Sequence, residues 1–317
     1  MSAPPPTVLV TGAAGLVGTH GCRALAERGW RVRAWVRDRA RAEARLGAAA
    51  AELVVADLRD RDAAAGAVRG MDAIVHLAAI AIERPGARYE DVNTAATVAL
   101  LAAAREAGVP RFVHMSQNGA SSASPHRFLR SKGLAEDAVR ASDRAWTVLR
   151  PSVIFGPEDE FVNVLARLVR LSPLVYPLPG GGVARFQPVA VGDVAAAIVA
   201  CLEREGTVGQ AYTLGGPEPL TLREITERVL RAMEAHRVLL NAPVGALAPL
   251  VALAQRVLPN PPVTTGLLAL LANDNVTPDN ALGPVFGIEP APFTPASLAY
   301  LRDITVGDAL RSLGRCP

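Results

Sequence analysis

Lysine is almost absent from this sequence. The 317 residues include 33 lysines and arginines, and Lys132 is the one lysine among them. Arginine serves wherever a generic positive charge is enough, so we expect Lys132 to stand at a position that needs the chemistry of an ammonium group. Phe128 lies four residues earlier. That spacing places both side chains on one face of a helix.

Cysteine and long apolar runs are also scarce. Cys22, Cys201 and Cys316 are odd in number, far apart and without the spacing of metal ligands. This pattern argues against a disulfide framework or a metal site and favours a reducing compartment. No apolar run reaches the ~20 residues of a membrane span, and the first residues lack a secretion signal. We therefore expect a cytoplasmic protein without a metal.

Charge of one sign does not accumulate anywhere. The net charge is +3 and the isoelectric point about 9.0, but arginines alternate with acids, as in residues 59–62. Because no basic stretch is interleaved with aromatic residues, we expect no nucleic-acid partner. Hydrophobic residues make up 50% of the chain. That share and the length suit one large α/β domain with an appendage, or two domains.

Short β-branched runs alternate with Ala- and Leu-rich amphipathic stretches from Thr7 to Pro151. The pattern predicts strands over Thr7–Thr11, Arg31–Val36, Glu52–Ala56, Ala73–Leu77, Arg111–Ser116 and Trp146–Arg150. It predicts helices over Leu16–Arg28, Asp38–Leu46, Arg61–Val68, Val92–Ala107 and Arg127–Ala141. This alternation is typical of an α/β fold with a doubly wound parallel sheet of the Rossmann type, in which ligands bind at the carboxyl edge of the strands.

A glycine-rich loop follows the first predicted strand and opens the first predicted helix. Gly12 permits a tight turn, Gly15 lets the backbone approach a pyrophosphate, and Gly18 lets the helix lie close to the strand. The amides at the helix start then meet the phosphates. We predict that the loop binds a dinucleotide through Thr11, Gly12, Ala14, Gly15, Leu16, Val17 and Gly18.

The end of the second strand bears on the choice of dinucleotide. An NAD site offers an acid about 20 residues after the glycines, to hold the ribose 2′-hydroxyl, whereas this chain has Arg37 there. A guanidinium can pair with a 2′-phosphate. We therefore expect NADP(H) rather than NAD(H). The alternative is a solvated arginine at a helix start, with Asp38 capping that helix.

Two further strand ends supply candidate cofactor contacts. Asp57 can accept a hydrogen bond from an adenine amino group, or it can cap the next helix instead. Small residues after His76 allow the chain to approach the cofactor closely. We expect His76 itself to be a partly buried histidine whose hydrogen bonds are satisfied within the protein. The predicted contacts here are Asp57, Leu58, Leu77, Ala78 and Ala79.

Regularity weakens after Pro151, where we predict helices over Phe161–Leu171 and Asp193–Glu203 and a strand over Ala211–Leu214. Beyond Gly216, proline and glycine interrupt short apolar helices predicted over Leu222–Glu234, Val244–Leu258 and Leu267–Ala272. We expect an NAD(P)-binding Rossmann domain over residues 1–216. A small, mainly helical C-terminal cap over 217–317 follows it, and residues 157–185 contribute to that cap.

Several motifs together resemble the extended and atypical short-chain dehydrogenase/reductase superfamily. They are Thr11–Gly18, His76–Ala79, Asn93 within residues 91–94, Ser116, Lys132 and Leu149–Pro157, and they cover most of residues 7–216. Within the superfamily, residues 186–195, 212–217, 274–276 and 286–301 resemble the nucleotide-binding accessory subunit of respiratory complex I and its stand-alone bacterial relatives.

The resemblance implies roles for individual residues. Ser116 and Lys132 match the active-site serine and lysine of the superfamily, and Phe128 stands where its acid–base tyrosine is expected. In the superfamily the lysine holds the nicotinamide ribose and lowers the pKa of that tyrosine. The cofactor contacts that the resemblance adds are Asn93, Met115, Ser116, Lys132, Pro151, Val153 and Ile154.

The sequence leaves three functions open. In the first, the chain binds NADP(H) with weakened catalysis, attached to respiratory complex I, because a positioned general acid supplies 10²–10⁴ in rate. In the second, it is an active NAD(P)H-dependent oxidoreductase on a quinone-like or other apolar carbonyl, with Ser116, Ser131 or His126 donating the proton. In the third, the apolar stretch Val244–Leu258 contacts the membrane periphery on the cytoplasmic face, although it lacks a basic polar face.

Overall fold

A computed structural model describes residues 4–314 of the chain, so Cys316 lies outside the described residues. The chain forms two compact units, each assembled from separate stretches. The first, which we call the sheet unit, comprises the chain up to Pro151 with Val191–Leu214 and Asp279–Ile288. The second, the ribbon unit, comprises Ser152–Ala190, Gly215–Pro278 and the chain from Glu289 onward. The predicted domain boundary at residue 216 stays a prediction.

Four strands of the ribbon unit are two residues long, and the other strands are four to seven residues long. In chain order they are β1 (Thr7–Thr11), β2 (Arg31–Val36), β3 (Glu52–Val55), β4 (Ala73–His76), β5 (Arg111–Met115), β6 (Ala145–Pro151), β7 (Ile154–Phe155), β8 (Val175–Pro179), β9 (Arg185–Phe186), β10 (Val189–Ala190), β11 (Gln210–Leu214), β12 (Leu220–Thr221) and β13 (Val238–Ala242).

The α-helices alternate with the strands in the first half of the chain. In chain order they are α1 (Leu16–Glu27), α2 (Arg39–Leu46), α3 (Arg61–Ala67), α4 (Ala96–Glu106), α5 (Arg127–Arg140), α6 (Val162–Leu171), α7 (Val191–Glu203), α8 (Leu222–Ala232), α9 (Val244–Val257), α10 (Thr265–Leu270) and α11 (Val306–Gly314). A π-helical turn, Glu90–Ala95, leads directly into α4.

A seven-stranded sheet forms the centre of the sheet unit. Its strand order is β11-β6-β5-β4-β1-β2-β3, and the paired strands are parallel. The predicted doubly wound Rossmann-type sheet is therefore confirmed. The order reverses between β1 and β4, and ligands of such sheets bind at that reversal, beyond the carboxyl ends of the strands. The pairing of Thr11 with His76 marks the place.

The core of the sheet unit explains why the predicted elements form. Leu9, Ile74 and Phe112 come from three neighbouring strands and are almost completely buried with apolar residues of α3 and α4. Continuous apolar strands of this kind are buried on both faces by helices. The strands and helices predicted for residues 7–151 all occur, with ends that agree to within a few residues.

The ribbon unit is held by three two-stranded sheets and a separate core. The strand pairs are β7 with β10, β9 with β12, and β8 with β13. Phe155 and Phe293 meet edge to face in its core, with ring centroids 5.0 Å apart, and α6 and α8 supply most of the aliphatic side chains around them. None of the helices in residues 4–314 has both the length and the apolar character needed to cross a membrane.

Candidate functional site

The carboxyl ends of β1 and β4 are joined by a chain of buried hydrogen bonds. The Ala78 amide donates to Thr11 Oγ1 over 3.3 Å, and Thr11 Oγ1 lies 2.7 Å from His76 Nδ1. On the other side of the ring, His76 Nε2 lies 2.9 Å from Thr97 Oγ1, whose hydroxyl donates to the Asn93 carbonyl over 2.8 Å.

These contacts fix the protonation of the histidine. Because the Thr97 hydroxyl uses its single hydrogen on Asn93, it accepts from His76, so Nε2 carries the ring proton. Nδ1 then accepts from Thr11. Burial, with a smaller contribution from the charge of Lys132, lowers the pKa of His76 to about 3, so the ring is neutral. The prediction of a satisfied His76 is confirmed, and the ring is fully rather than partly buried.

The glycine loop between β1 and α1 is shaped by close backbone contacts. Gly12 has a φ of +67°, and a Cβ there would lie 2.9 Å from backbone atoms of Ala78. A Cβ on Gly18 would lie 2.2 Å from the Gly12 carbonyl oxygen, whereas Gly15 is exposed. Helix α1 begins at Gly15 without a side-chain cap and without an acid in its first turn. Its amino-terminal amides are therefore available to an anion.

An arginine cluster that the sequence did not predict lies against this loop. Arg45, on the last turn of α2, donates from Nη1 to the Ala14 carbonyl over 2.9 Å, and Arg23 donates to the Arg45 carbonyl over 2.8 Å. Burial and the charges of Arg41 and Arg23 lower the pKa of Arg45. The cluster makes the surroundings of the glycine loop strongly positive. Helix docking brings Arg45 to Ala14 across 31 positions, a contact that sequence spacing does not reveal.

The polar residues after β2 and β3 have different partners. Arg37 is exposed and makes no hydrogen bond or ion pair with residues 4–314. Asp38 caps α2 by accepting from the Arg41 amide over 3.0 Å, as the alternative interpretation predicted. Asp60 caps α3, so a capping role for Asp57 is wrong. Instead, Asp57 accepts from Nε and Nη2 of Arg59, each over 2.8 Å, and these bonds lower its pKa to about 2.

The other residues predicted to contact the cofactor at the carboxyl edge of the sheet differ in solvent exposure. Leu58 is buried, Leu77 and Ala78 are half-buried, and Ala79 is exposed. Asn93 lies in the π-helical turn and is buried. Its Oδ1 accepts from the Ile80 amide over 2.8 Å, and its Nδ2 donates to the Ile80 carbonyl and to Ser131 Oγ. Asn93 therefore ties the segment after β4 to α5.

Lys132 lies on α5 and is 4% exposed. Its Nζ donates to the Met115 carbonyl over 2.6 Å, at the end of β5. Burial lowers its pKa to about 8, and the charge of Glu136 opposes that shift. An ammonium group has three hydrogens, and the protein atoms of residues 4–314 receive one of them.

Glu136 follows Lys132 by one helical turn, but its carboxylate is bound to arginines. Arg140 Nε donates to Oε1 over 2.7 Å, and Arg150 Nε donates to Oε2 over 2.9 Å. Burial raises the pKa of Glu136, but the bonds and charges of the two arginines outweigh it and lower the pKa overall. This pairing leaves the buried charge of Lys132 without a bonded acid.

The position expected for a tyrosine is apolar. The ring of Phe128 lies against Tyr89, with centroids 5.7 Å apart, and the Tyr89 hydroxyl donates to the Ala81 carbonyl over 2.8 Å. Ser131 Oγ donates to the Phe128 carbonyl over 2.8 Å, so its hydrogen is already used. His126 stands at the start of α5 and is half-buried.

Two buried polar side chains beside Lys132 have unused hydrogen-bonding atoms. Ser116 Oγ, just beyond β5, has no hydrogen-bond partner in residues 4–314, although it lies near enough to Glu136 to help lower the pKa of that acid. Neither ring nitrogen of His114 has a partner there. Its ring stacks on His76, with centroids 5.4 Å apart. Burial, followed by the charges of Lys132 and His76, lowers the pKa of His114 well below its usual value.

The remaining predicted contacts fall in both units. Met115 and Pro151 are buried in the sheet unit, where the Pro151 carbonyl accepts from the Asn118 amide over 2.9 Å. Val153 and Ile154 belong to the ribbon unit, where Ile154 pairs with Val189. Their predicted contact with a cofactor stays a prediction.

Comparison with known proteins identifies relatives of two kinds. The chain is 38% identical over 173 residues to the Arabidopsis thaliana protein "NADH dehydrogenase [ubiquinone] 1 alpha subcomplex subunit 9, mitochondrial", covering 54% of this chain and 43% of the relative. The chain thus spans about half the length of such complex I subunits. It is 33% identical over 250 residues to "Sterol demethylase protein B" of Methylococcus capsulatus, covering 70% of this chain and 73% of the relative.

Solved structures share the whole fold. The crystal structure of gox2253 has a TM-score of 0.71 and 26% identity, and covers 96% of this chain and 97% of its own. The sequence profile of the NAD dependent epimerase/dehydratase family matches residues 8–215, which include the glycine loop, Ser116 and Lys132. The predicted resemblance to the short-chain dehydrogenase/reductase group and to the complex I subunit is confirmed. The chain belongs to the NAD dependent epimerase/dehydratase family.

Proposed function

We propose that the chain is an NADP(H)-binding protein that resembles the complex I accessory subunit and has weakened tyrosine-dependent catalysis. The observation that carries the proposal is the pairing of Lys132 with Phe128. The chain keeps a buried ammonium group that gives one hydrogen to the protein, while the neighbouring residue has lost the hydroxyl that the ammonium would activate. Stability alone does not favour a buried charge without a bonded acid.

The residues present fit a dinucleotide. The uncapped start of α1 and the exposed Gly15 suit a pyrophosphate. The unused hydrogens of Lys132 suit ribose hydroxyls. When bound, the nicotinamide would supply or accept a hydride. The proposed contacts in the sheet unit are Thr11, Gly12, Ala14, Gly15, Leu16, Val17, Gly18, Arg37, Asp57, Leu58, Leu77, Ala78, Ala79, Met115, Ser116, Lys132 and Pro151.

The choice of NADP(H) over NAD(H) rests on charge. Arg37 makes no bond to the described part of the chain, and Arg45 and its neighbours surround the glycine loop with positive charge. The nearby acid, Asp38, is held in the cap of α2. A charge-assisted bond contributes about 1.5–3 kcal/mol. We therefore expect Arg37 and Arg45 to favour a 2′-phosphate over a hydroxyl by tenfold or more.

Fluorescence titration of the purified protein with NADPH and NADH tests both the binding of a dinucleotide and the preference for NADP(H). We expect NADPH to bind more tightly, and Arg37→Gln with Arg45→Gln to remove the preference for NADPH over NADH. Lys132→Met should lower the affinity for both cofactors about 100-fold, since it removes two charge-assisted hydrogen bonds. Arg105→Gln, on the exposed end of α4, is the matched control. Equal affinity of the wild type for NADPH and NADH would contradict the NADP(H) assignment.

Attachment to respiratory complex I is proposed from the relatives that carry its name. We also propose a cytoplasmic location, since Cys22 and Cys201 are buried free thiols of the kind that a reducing compartment preserves. Native fractionation of host membranes, followed by mass spectrometry for this chain, tests the attachment. Co-migration with complex I is the expected result, and migration as a small species alone would reject it.

An active oxidoreductase is the second candidate, favoured by the buried and unbonded hydroxyl of Ser116. The relative named a sterol demethylase protein agrees with an apolar substrate, and we propose an apolar carbonyl or quinone-like compound. With Phe128 unable to donate and the Ser131 hydrogen already used, Ser116 and His126 remain the candidates for proton delivery, and the unbonded hydroxyl favours Ser116. Oxidation of NADPH by quinones and long-chain aldehydes, abolished by Ser116→Ala and raised by Phe128→Tyr, would support this function. Absence of oxidation with every acceptor would remove it.

A further inference from the structure

The ribbon formed by β8 and β13 carries apolar residues on both faces, with Asn241 as its one polar side chain apart from the Tyr176 hydroxyl. The strands run parallel, with Val175 opposite Val238 and Pro177 opposite Leu240. Alternate residues such as Tyr176 and Leu178 are buried in the core of the ribbon unit. The intervening residues form what we call the outer ribbon face: Val175, Pro177, Val238 and Leu240, all of which are exposed. A strand face that meets water usually carries polar side chains.

Helix α9 carries a second exposed apolar surface in the same unit. It follows β13 after one residue, Pro243, and none of its residues is buried. Leu250, Leu253 and Val257 are 65%, 60% and 69% exposed. Their spacing of three and four residues places them on one side of the helix. We call these three residues the α9 stripe.

The segments that supply this surface contain no acidic residue. No Asp or Glu occurs in residues 161–192 or in residues 235–273. An even spread of the 30 acidic residues over 317 positions would place about three in the first segment and about four in the second. The bases of the two segments are Arg167, Arg170, Arg185, His236, Arg237 and Arg256.

Most of these bases keep a net positive charge. Arg185 is paired with Asp274 at 2.7 Å, but Arg170 and Arg237 donate to backbone carbonyls, which leaves their charges uncompensated. Arg256 is exposed, beside the α9 stripe, and has no ion pair in the described part of the chain. The two segments therefore contribute exposed hydrocarbon and positive charge to the surface and contribute no negative charge.

We propose that the outer ribbon face and the α9 stripe dock onto an anionic lipid bilayer. A bilayer offers hydrocarbon to the apolar side chains and negative headgroups to the flanking bases. A second copy of the same surface would bring like charges together and offers no acid to neutralise them. Although α9 lacks a basic face of its own, Arg237 before β13 and Arg256 near the end of α9 supply the positive charge. This proposal does not depend on cofactor binding.

Vesicle flotation of the full chain tests the proposal, with phosphatidylcholine alone or mixed with phosphatidylglycerol. We expect the wild type to float with the mixed vesicles, and the double variant Leu250→Glu, Leu253→Glu to float at least about tenfold less. Arg256→Gln should reduce binding about fivefold at low salt, as one basic residue near an anionic surface contributes about 1 kcal/mol.

Val208→Glu, at a valine that is 40% exposed in the sheet unit, is the matched control and should float like the wild type. Circular dichroism and urea denaturation of each variant show whether it is folded. Failure of the wild type to float, or equal flotation of the double variant, would overturn the proposal. Light scattering tests the alternative occupant. If the wild type is a dimer, the double variant is a monomer and neither protein floats, then the surface binds a second copy of the chain and the proposal is also overturned.

Discussion

In the sheet unit a charged side chain lies in the interior, whereas in the ribbon unit apolar side chains lie outside. Lys132 is 4% exposed and Leu250 is 65% exposed. Both reverse the usual distribution of residues between core and surface. The buried ammonium costs folding free energy, and the exposed stripe favours association.

The difference between the two sites matches the two proposals made for them. A buried charge with spare hydrogens suits a small polar ligand that reaches it inside the fold. An exposed apolar face formed by segments without acids suits an extended partner that covers it from outside. Neither arrangement follows from stability, so mutations that restore the usual distribution should improve folding or solubility and remove a function.

The largest contrast should appear between the two faces of the ribbon. Leu178 is fully buried and Leu240 is 50% exposed, although both belong to the same strand pair. We expect Leu178→Ala to lower the free energy of unfolding by about 3 kcal/mol and Leu240→Ala to change it by less than about 0.5 kcal/mol. Urea denaturation measures both. A comparable loss for Leu240→Ala would mean that the outer ribbon face stabilises the fold and is not reserved for a partner.

Removal of the buried charge of Lys132 should stabilise the nucleotide-free protein. Burial lowers the pKa of Lys132 from 10.5 to about 8, which corresponds to a penalty of about 3 kcal/mol at neutral pH, and the bond to Met115 returns about 1. Lys132→Met should therefore raise the free energy of unfolding by about 2 kcal/mol at pH 7. Arg130→Met, two residues earlier, serves as the control. A destabilised Lys132→Met protein would show that Lys132 has a structural role.

The pH dependence follows from the same shift. The pKa of Lys132 is lower in the folded state, about 8, than its ordinary value of 10.5. The unfolded chain therefore holds more protons between those values, and the stability of the wild type rises with pH across that window. NADPH affinity, which needs the charged form, should instead fall about tenfold between pH 7 and pH 9. Titrations at a series of pH values, with Lys132→Met as the reference, measure the effect.

The smallest effect concerns the acid beside Lys132. The charge of Glu136 raises the pKa of Lys132 against the effect of burial. Glu136→Gln should therefore move the midpoint of the pH-dependent loss of NADPH affinity below that of the wild type. Asp137→Asn, at the exposed neighbouring position, is the control. An unmoved midpoint would mean that another group governs the pH dependence.

The sheet unit could be predicted from the sequence because its strands are continuous apolar runs separated by amphipathic helices. The strands of the ribbon unit were largely missed. β7, β9, β10 and β12 are two residues long, and β8 contains two prolines, so neither alternation nor β propensity marks them. Their pairing depends on tertiary contacts.

Some residues of the candidate site could likewise be predicted from the sequence, and others could not. The glycine loop, Lys132 and Phe128 are sequence patterns, so they could be found directly. Arg45, His114 and Glu136 were missed, because their roles arise from helix docking and from strands that lie side by side. Asp57 was open to two interpretations until the structure showed Asp60 at the start of α3.

The hydrogen bonds between β1 and α4 have one further consequence for proton movement. The series begins at the Ala78 amide and ends at the Asn93 carbonyl. A main-chain amide only donates and a main-chain carbonyl only accepts, so the series has a single polarity and cannot reverse. Thr11, His76 and Thr97 therefore cannot conduct a proton between the cofactor edge and the protein interior. They close this route for protons between the carboxyl ends of β1 and β4 and the groups beneath them.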